Sequence, residues 1–173
     1  ARVSDKEFAT FNVKGHRGRI TDETLQVMEV IWTEDEASFH GQYYDFDALA
    51  VYPKPMQRPR PKFWIGGRSE SAIRRAVDYA EGWIPSQISA SMFRDGVALM
   101  RSYADEQDRP MPDDLGVNIF AALAGSDDEA HKYMTDGFGS RFNEEGLQTL
   151  VISGGLDTFV EKTRRFIDAG VNV

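Results

Sequence analysis

The stretch Lys62-Phe63-Trp64-Ile65-Gly66-Gly67-Arg68-Ser69 decides the fold. Phe63, Trp64 and Ile65 suit a pleated, half-buried surface, and a glycine pair ends them. From Ser69 onward the period changes, with apolar residues at Ala72, Ile73, Ala76 and Val77 in helical spacing. The pattern predicts a strand over residues 62–66 and a helix from about 69 to 80, with Gly82 as its stop.

Toward the C-terminus the alternation repeats. Trp83, Ile84 and Pro85 read as a short second strand, followed by a helix over about residues 90–106 and a polar, proline-bearing loop. Leu115 to Leu123 alternates as a third strand, and Ser126-Asp127-Asp128-Glu129 is a capping box opening the helix that carries His131 to Met134. Phe138 to Asn143 has no decisive period, and Glu144 to Ile152 reads equally as helix or strand. A last helix over about residues 157–168 places Phe159, Val160, Thr163, Phe166 and Ile167 on one side and ends at Gly170. Strand alternating with helix is the signature of an α/β fold around a parallel sheet. Four strands are expected, around Phe63, Trp83, Val117 and Val171. A closed (β/α)8 barrel needs eight and typically runs to ~250 residues, so these units supply about half of one. With Ala1 in place of Met and Val173 at the start of a strand, both ends read as cut.

Toward the N-terminus the residues before Lys62 are of another kind. Ser4-Asp5-Lys6-Glu7 is a capping box for a short helix through about Phe11, which Gly15 and Gly18 break. A second helix is expected from Thr21, with Asp22 and Glu23 at its positive dipole end and Leu25, Met28, Ile31 and Trp32 on its apolar side. Ala37 to Phe46 reads as a hairpin about Gly41. Pro53, Pro55, Pro59 and Pro61 remove donors and fix φ, so the chain there is extended.

Composition narrows the function. The net charge of −8 lacks the positive field that nucleic acid or an anionic membrane requires, so neither is an expected partner. Without cysteine there is no disulfide, thiolate nucleophile or Cys-ligated metal, which fits a cytoplasmic protein. No apolar run approaches the ~18–20 residues of a membrane helix. His16, His40 and His131 lie on three segments with no ligand spacing, so no metal site is expected; His16, within Gly15-His16-Arg17-Gly18-Arg19, sits in a flexible basic stretch able to touch an anion. Glu34-Asp35-Glu36 and Asp113-Asp114 read as solvated loop charges. Trp83 either fills the core or packs under a planar ring.

The strand, glycine turn and helix at 62–73 form the informative constellation. A helix N-terminus presents free N–H groups and partial positive charge to an anion, and ligands gather at the carboxyl ends of parallel strands. Gly66 and Gly67 allow close backbone approach, Arg68 offers a forked cation, and Ser69 either caps the helix or bonds an anion oxygen. The competing reading is a tight turn with a capped helix and a solvated Arg68.

An ordered set of segments carries a resemblance to a known family. The set runs Asp5-Lys6-Glu7-Phe8, Gly15 to Arg19, Asp22-Glu23, Ile31-Trp32-Thr33-Glu34-Asp35, Phe39-His40-Gly41 with Tyr44, Pro53-Lys54-Pro55 and Arg58-Pro59. It continues through Trp64-Ile65-Gly66-Gly67, Arg75-Ala76, Gly82-Trp83 with Pro85, Gly155-Leu156-Asp157-Thr158-Phe159 and Ala169-Gly170-Val171. Together these resemble the middle and C-terminal portion of luciferase-like monooxygenases, most of all the subgroup assigned to coenzyme F-420. The resemblance implies a TIM-type (β/α)8 barrel. Residues 1–61 would then be an insertion after strand 4 and residues 62–173 would be βα units 5 to 8. It further implies coenzyme F-420 or FMN as cofactor, with its phosphate on Gly66, Gly67, Arg68 and Ser69. Hydride transfer with a small organic substrate and a homo-oligomer, a dimer, are expected. The ring-facing residues of such barrels come largely from the first four strands, so no catalytic residue is carried over, and those groups are expected upstream of Ala1. A half-barrel would also leave open sheet edges. Two other readings are a relative that binds flavin, or only supports structure, without turnover, and an unrelated small α/β interaction domain.

Overall fold

The computed structural model describes Phe8, Thr10 and residues 15–173. The capping box at Ser4 to Glu7 and its helix end near Phe11 lie outside them. The chain divides between Pro61 and Lys62 into two compact units.

In the first unit, α1 spans Arg17–Thr33, four residues longer at its start than the sequence indicates. His16 caps it, its ring nitrogen accepting from the Arg19 N–H at 3.4 Å. The stretch expected to be a flexible basic loop is therefore helical from Arg17 on. Glu23 does not serve the helix dipole. Its carboxylate accepts the N–H groups of Gln42, Tyr43 and Tyr44 at 3.0, 2.6 and 2.7 Å, and these bonds hold its pKa below the ordinary value against the opposing effect of burial. The loop that Glu23 anchors joins β1 (Ala37–His40) to β2 (Asp45–Leu49), the expected antiparallel hairpin, with Phe39 stacked 6.3 Å from Phe46. No regular element follows between Leu49 and Trp64, as the prolines require.

The second unit begins with three short parallel strands in the order β3 (Trp64–Ile65), β4 (Gly82–Trp83) and β5 (Asp114–Leu115). α2 (Glu70–Tyr79) joins the first two and α3 (Ala90–Glu106) the last two. All four apolar positions expected of α2 are buried, and the helix packs against β3. Gly82 is not the stop of α2; it belongs to β4, where the Trp64 indole lies so close that a Cβ would meet it at 2.5 Å.

The expected third strand is split. β5 ends at Leu115, and after an irregular stretch the chain resumes as β6 (Phe120–Leu123), paired in parallel with β7 (Val151–Gly154) in a separate two-stranded sheet. Between them come α4 (Asp127–Phe138) and α5 (Glu144–Thr149), so the ambiguous stretch 144–152 holds a helix and then a strand. Ser126 caps α4 through the Glu129 N–H at 3.2 Å, while Glu129 reaches past the cap residue to the Gly125 N–H at 3.0 Å. Phe120, Met134, Phe138, Phe142, Leu147 and Val151 close a small core over this sheet.

α6 (Leu156–Asp168) ends where Gly170 adopts a φ of +108°. Of its expected apolar side Phe166 is buried, Phe159 and Thr163 are half-buried, and Val160 and Ile167 are exposed. Val171 to Val173 form no regular strand, yet the N–H of Asn172 bonds the Leu115 carbonyl at 2.8 Å and the Asn172 side chain bonds Leu115 N–H and Asp113 carbonyl at 2.8 and 2.9 Å. The chain end thus runs beside β5 in the place the fourth strand was expected.

Asp114 corrects another expectation. It is not a solvated loop charge but the first residue of β5, its side chain 17% exposed, accepting from Lys62 Nζ at 2.7 Å and Trp64 Nε1 at 3.1 Å. The Lys62 hydrogen bond, foremost, holds its pKa below the ordinary 3.8. A lowered carboxylate stabilises the fold above the unfolded value and stops doing so as acid protonates it through the folded value. Urea midpoints measured from pH 6 downward should fall across that window, and Asp114→Asn should flatten the fall.

Candidate functional site at the carboxyl ends of the strands

β3, β4 and β5 end on one side of their sheet, and the loops that leave them are residues 66–69, 84–89 and 116–119. Gly66, Gly67, Arg68 and Ser69 form the first loop, and all four are exposed. Ser69 is the N-cap of α2. Its hydroxyl accepts from the Ala72 N–H at 3.3 Å and its carbonyl from the N–H groups of Ala72 and Ile73 at 2.9 and 3.0 Å. The helix geometry leaves the N–H groups of Glu70 and Ser71 without an intrahelical partner, and these are the donors a bound anion would meet.

The two glycines differ in what they do. Gly67 has a φ of +94°, and a Cβ there would lie 3.1 Å from the Ala72 Cβ, so the turn itself needs glycine. At Gly66 a Cβ would meet nothing nearer than the Ile84 carbonyl oxygen at 3.8 Å. Nothing in the chain's own packing asks for glycine at that position. The absent side chain leaves open space beside the α2 N-terminus.

Arg68 is not free in solvent. Its guanidinium donates to the Gln87 carbonyl in the loop after β4. A second tie runs the other way, from Trp83 Nε1 to the Gly67 carbonyl at 2.8 Å. Trp83 is fully buried, stacks on Phe93 with centroids 5.0 Å apart, and lies against Gly96 of α3. Of the two readings of Trp83, the core holds; its edge also fixes the Gly67 carbonyl, which no sequence pattern signals. Arg68 and Trp83 together lock the first loop to the second.

A carboxylate beside this helix N-terminus would oppose any bound anion, and Glu70 is its first residue. Its Oε1 accepts from Tyr103 Oη at 2.6 Å and Arg74 Nη2 at 3.2 Å, and Arg74 lies 4.0 Å over the Tyr103 ring. Tyr103, then Arg74, lower the Glu70 pKa and keep its charge compensated within that cluster. The Glu70–Arg74 pair follows from i,i+4 spacing; Tyr103, 33 positions beyond Glu70, could not be found that way.

The three histidines stay apart. His16 caps α1, His40 bridges Asp45 and Asp47 at 2.7 and 3.2 Å on the hairpin, and His131 lies 3.7 Å from Glu144. Among the described residues no group of three possible metal ligands converges, and no helix is long and apolar enough to cross a membrane.

Comparison with known proteins places this arrangement. An FMNH(2)-dependent dimethylsulfone monooxygenase of Pseudomonas putida is 28% identical over 141 residues, which are 75% of this chain and 38% of that protein. Among solved structures, an F-420-dependent secondary alcohol dehydrogenase superposes with a TM-score of 0.81 at 15% identity, over 96% of this chain and 58% of that one. The FMN-bound oxygenating constituent of 3,6-diketocamphane monooxygenase from Pseudomonas putida gives 0.75 at 16%, over 98% and 59%. The chain therefore spans about two fifths of that curated relative and nearly three fifths of these structures. The fold is part of a luciferase-like (β/α)8 barrel. Residues 3–148 match the luciferase-like monooxygenase family, and the chain belongs to it.

Proposed function

We propose that the full-length protein is a flavin- or deazaflavin-dependent oxidoreductase or monooxygenase acting on a small organic molecule, and that the loop Gly66 to Ser69 receives the cofactor phosphate. The observation that supports this most is the open cradle at Gly66 beside the capped α2 N-terminus, in a chain of this family. The N–H groups of Glu70 and Ser71 would hold phosphate oxygens, Ser69 would keep the helix end formed, and Arg68, anchored on Gln87, would add positive charge. When bound, the ring supplies hydride acceptance or donation, or, as reduced flavin, reaction with oxygen. The chain's own contribution is to position and electrostatically hold one end of that cofactor. Between the two cofactors, the 28% match to the FMNH(2)-dependent monooxygenase favours reduced FMN over coenzyme F-420. Anaerobic titration of the full-length protein with each, followed by ring absorbance, tests the assignment. Saturable binding of reduced FMN is expected; binding of F-420 alone would reverse the choice, and binding of neither would overturn the function.

A further inference from the structure

We propose that a cleft of about 290 Å³ between the start of α3 and the middle of α6 is a second anion site, taking the carboxylate, sulfonate or phosphate group of a small organic acid. It is built on residues apart from the Gly66 loop and does not rest on the cofactor reading.

Three cations from two helices line it: Arg94 on α3, and Lys162 and Arg165 on α6. Val151 and Phe166, both buried, supply an apolar floor. Only Arg165 has a carboxylate partner, Glu161 at 2.5 Å. Lys162 is half-buried and donates to the neutral Ser153 carbonyl at 2.9 Å, while Arg94 has no hydrogen-bond or ion-pair partner among the described residues. Arg94 and Lys162 therefore line the cleft with no carboxylate in ion-pair contact among the described residues. Burial, foremost, lowers the Lys162 pKa, and the more distant Asp127 and Glu161, acting the other way, do not offset it. An oxyanion in the cleft would give both cations a contacting partner.

The start of α3 adds neutral donors on the same wall. Ser89 caps the helix through the Met92 N–H at 3.2 Å and lies 2.9 Å from the Ser91 hydroxyl, and the first turn of α3 contains no acidic residue. Cations at the rim over an apolar floor suit an organic anion, and the volume is near the lower end of the ~300–1,000 Å³ of small-ligand sites. The cleft adjoins the loop that Arg68 ties to the cradle, since Gln87 precedes Ser89 by two residues.

Calorimetric titration of the full-length protein with inorganic phosphate tests the site, with chloride at equal ionic strength as the control. Arg94→Gln/Lys162→Gln should weaken phosphate binding about tenfold or more, since each lost bond to a charged group is a factor of that order, and should leave FMN affinity unchanged. Arg94→Gln alone should show part of the loss; its guanidinium holds nothing in the fold, so misfolding cannot explain the effect. Gly66→Ala should retain this phosphate binding. Unchanged phosphate affinity in the double variant, or no phosphate binding by the wild type, would overturn the proposal. Loss of phosphate binding in the double variant of a protein that binds no flavin would uphold the proposal and refute the cofactor reading alone.

Discussion

Trp83→Ala is expected to cost about 3–5 kcal/mol of stability, the usual range for deleting a fully buried aromatic, against a total of ~5–15 kcal/mol for a protein of ordinary stability. The reasons are local and additive in kind. Trp83 lies on β4, the central strand of three, with no exposed surface, an aromatic partner in Phe93 and α3 packed so closely that a Cβ at Gly96 would fall 2.5 Å from its ring. Alanine leaves a cavity under α3 and an unpaired Gly67 carbonyl. Trp83→Phe separates the two effects. It keeps a six-membered ring in the core while removing the indole N–H and the pyrrole part of the ring, at ~1–3 kcal/mol for the hydrogen bond if the carbonyl stays unsatisfied, plus a smaller cavity than alanine leaves. Urea midpoints should therefore rank wild type above Phe and Phe well above Ala. A Phe variant as unstable as Ala would show that the hydrogen bond to the loop, rather than burial, dominates.

The neighbouring glycines are expected to fail in opposite ways. Gly67→Ala forces a side chain into a positive φ, at roughly 1–2 kcal/mol, and presses on Ala72, so it should lower thermal stability with or without cofactor. Gly66→Ala has an ordinary 3.8 Å contact to accommodate, and the apoprotein should melt within about a degree of wild type, as surface changes of under ~0.5 kcal/mol do. Its methyl instead stands in the proposed phosphate cradle. Keeping one charged oxygen from its N–H donor, at ~1.5–3 kcal/mol, weakens cofactor binding about 10- to 100-fold. Equilibrium dialysis and differential scanning calorimetry on both variants make the contrast measurable. Reversed behaviour, with Gly66→Ala unstable and still binding fully, would mean that the loop is structural only.

How far the sequence could be read depended on whether the signal was local. α2 and α3 were legible to within about a residue, and the start of α4 was legible from its capping serine Ser126, whereas its end fell in the stretch that has no decisive period. α1 was misread at its start because histidine is an unusual cap, and because Glu23 resembles a dipole-facing carboxylate while its partners are backbone groups about twenty positions on. The strands were placed well and bounded poorly, since two-residue strands such as β3 and β5 are set by their neighbours' hydrogen bonds and not by their own period. β7 was obscured by the short helix α5 running directly into it. For the candidate site, the turn and its cap could be read from Gly66 to Ser69, but the ties from Trp83 and Arg68 to opposite loops, the Tyr103 bond to Glu70 and the cations of the α3–α6 cleft depend on long-range folding. Asp114 shows the same limit, an apparent loop charge made structural by Lys62, 52 positions away.

Comparing FMN with riboflavin tests most directly whether Gly66 to Ser69 holds a cofactor phosphate, because the two differ only in that group. Dissociation constants for both, reduced and bound to the full-length protein, should differ by about 100-fold or more in favour of FMN, as two charge-assisted hydrogen bonds imply, and Gly66→Ala should collapse most of that preference. Equal affinity for the two flavins, or a preference that Gly66→Ala leaves untouched, would contradict the account.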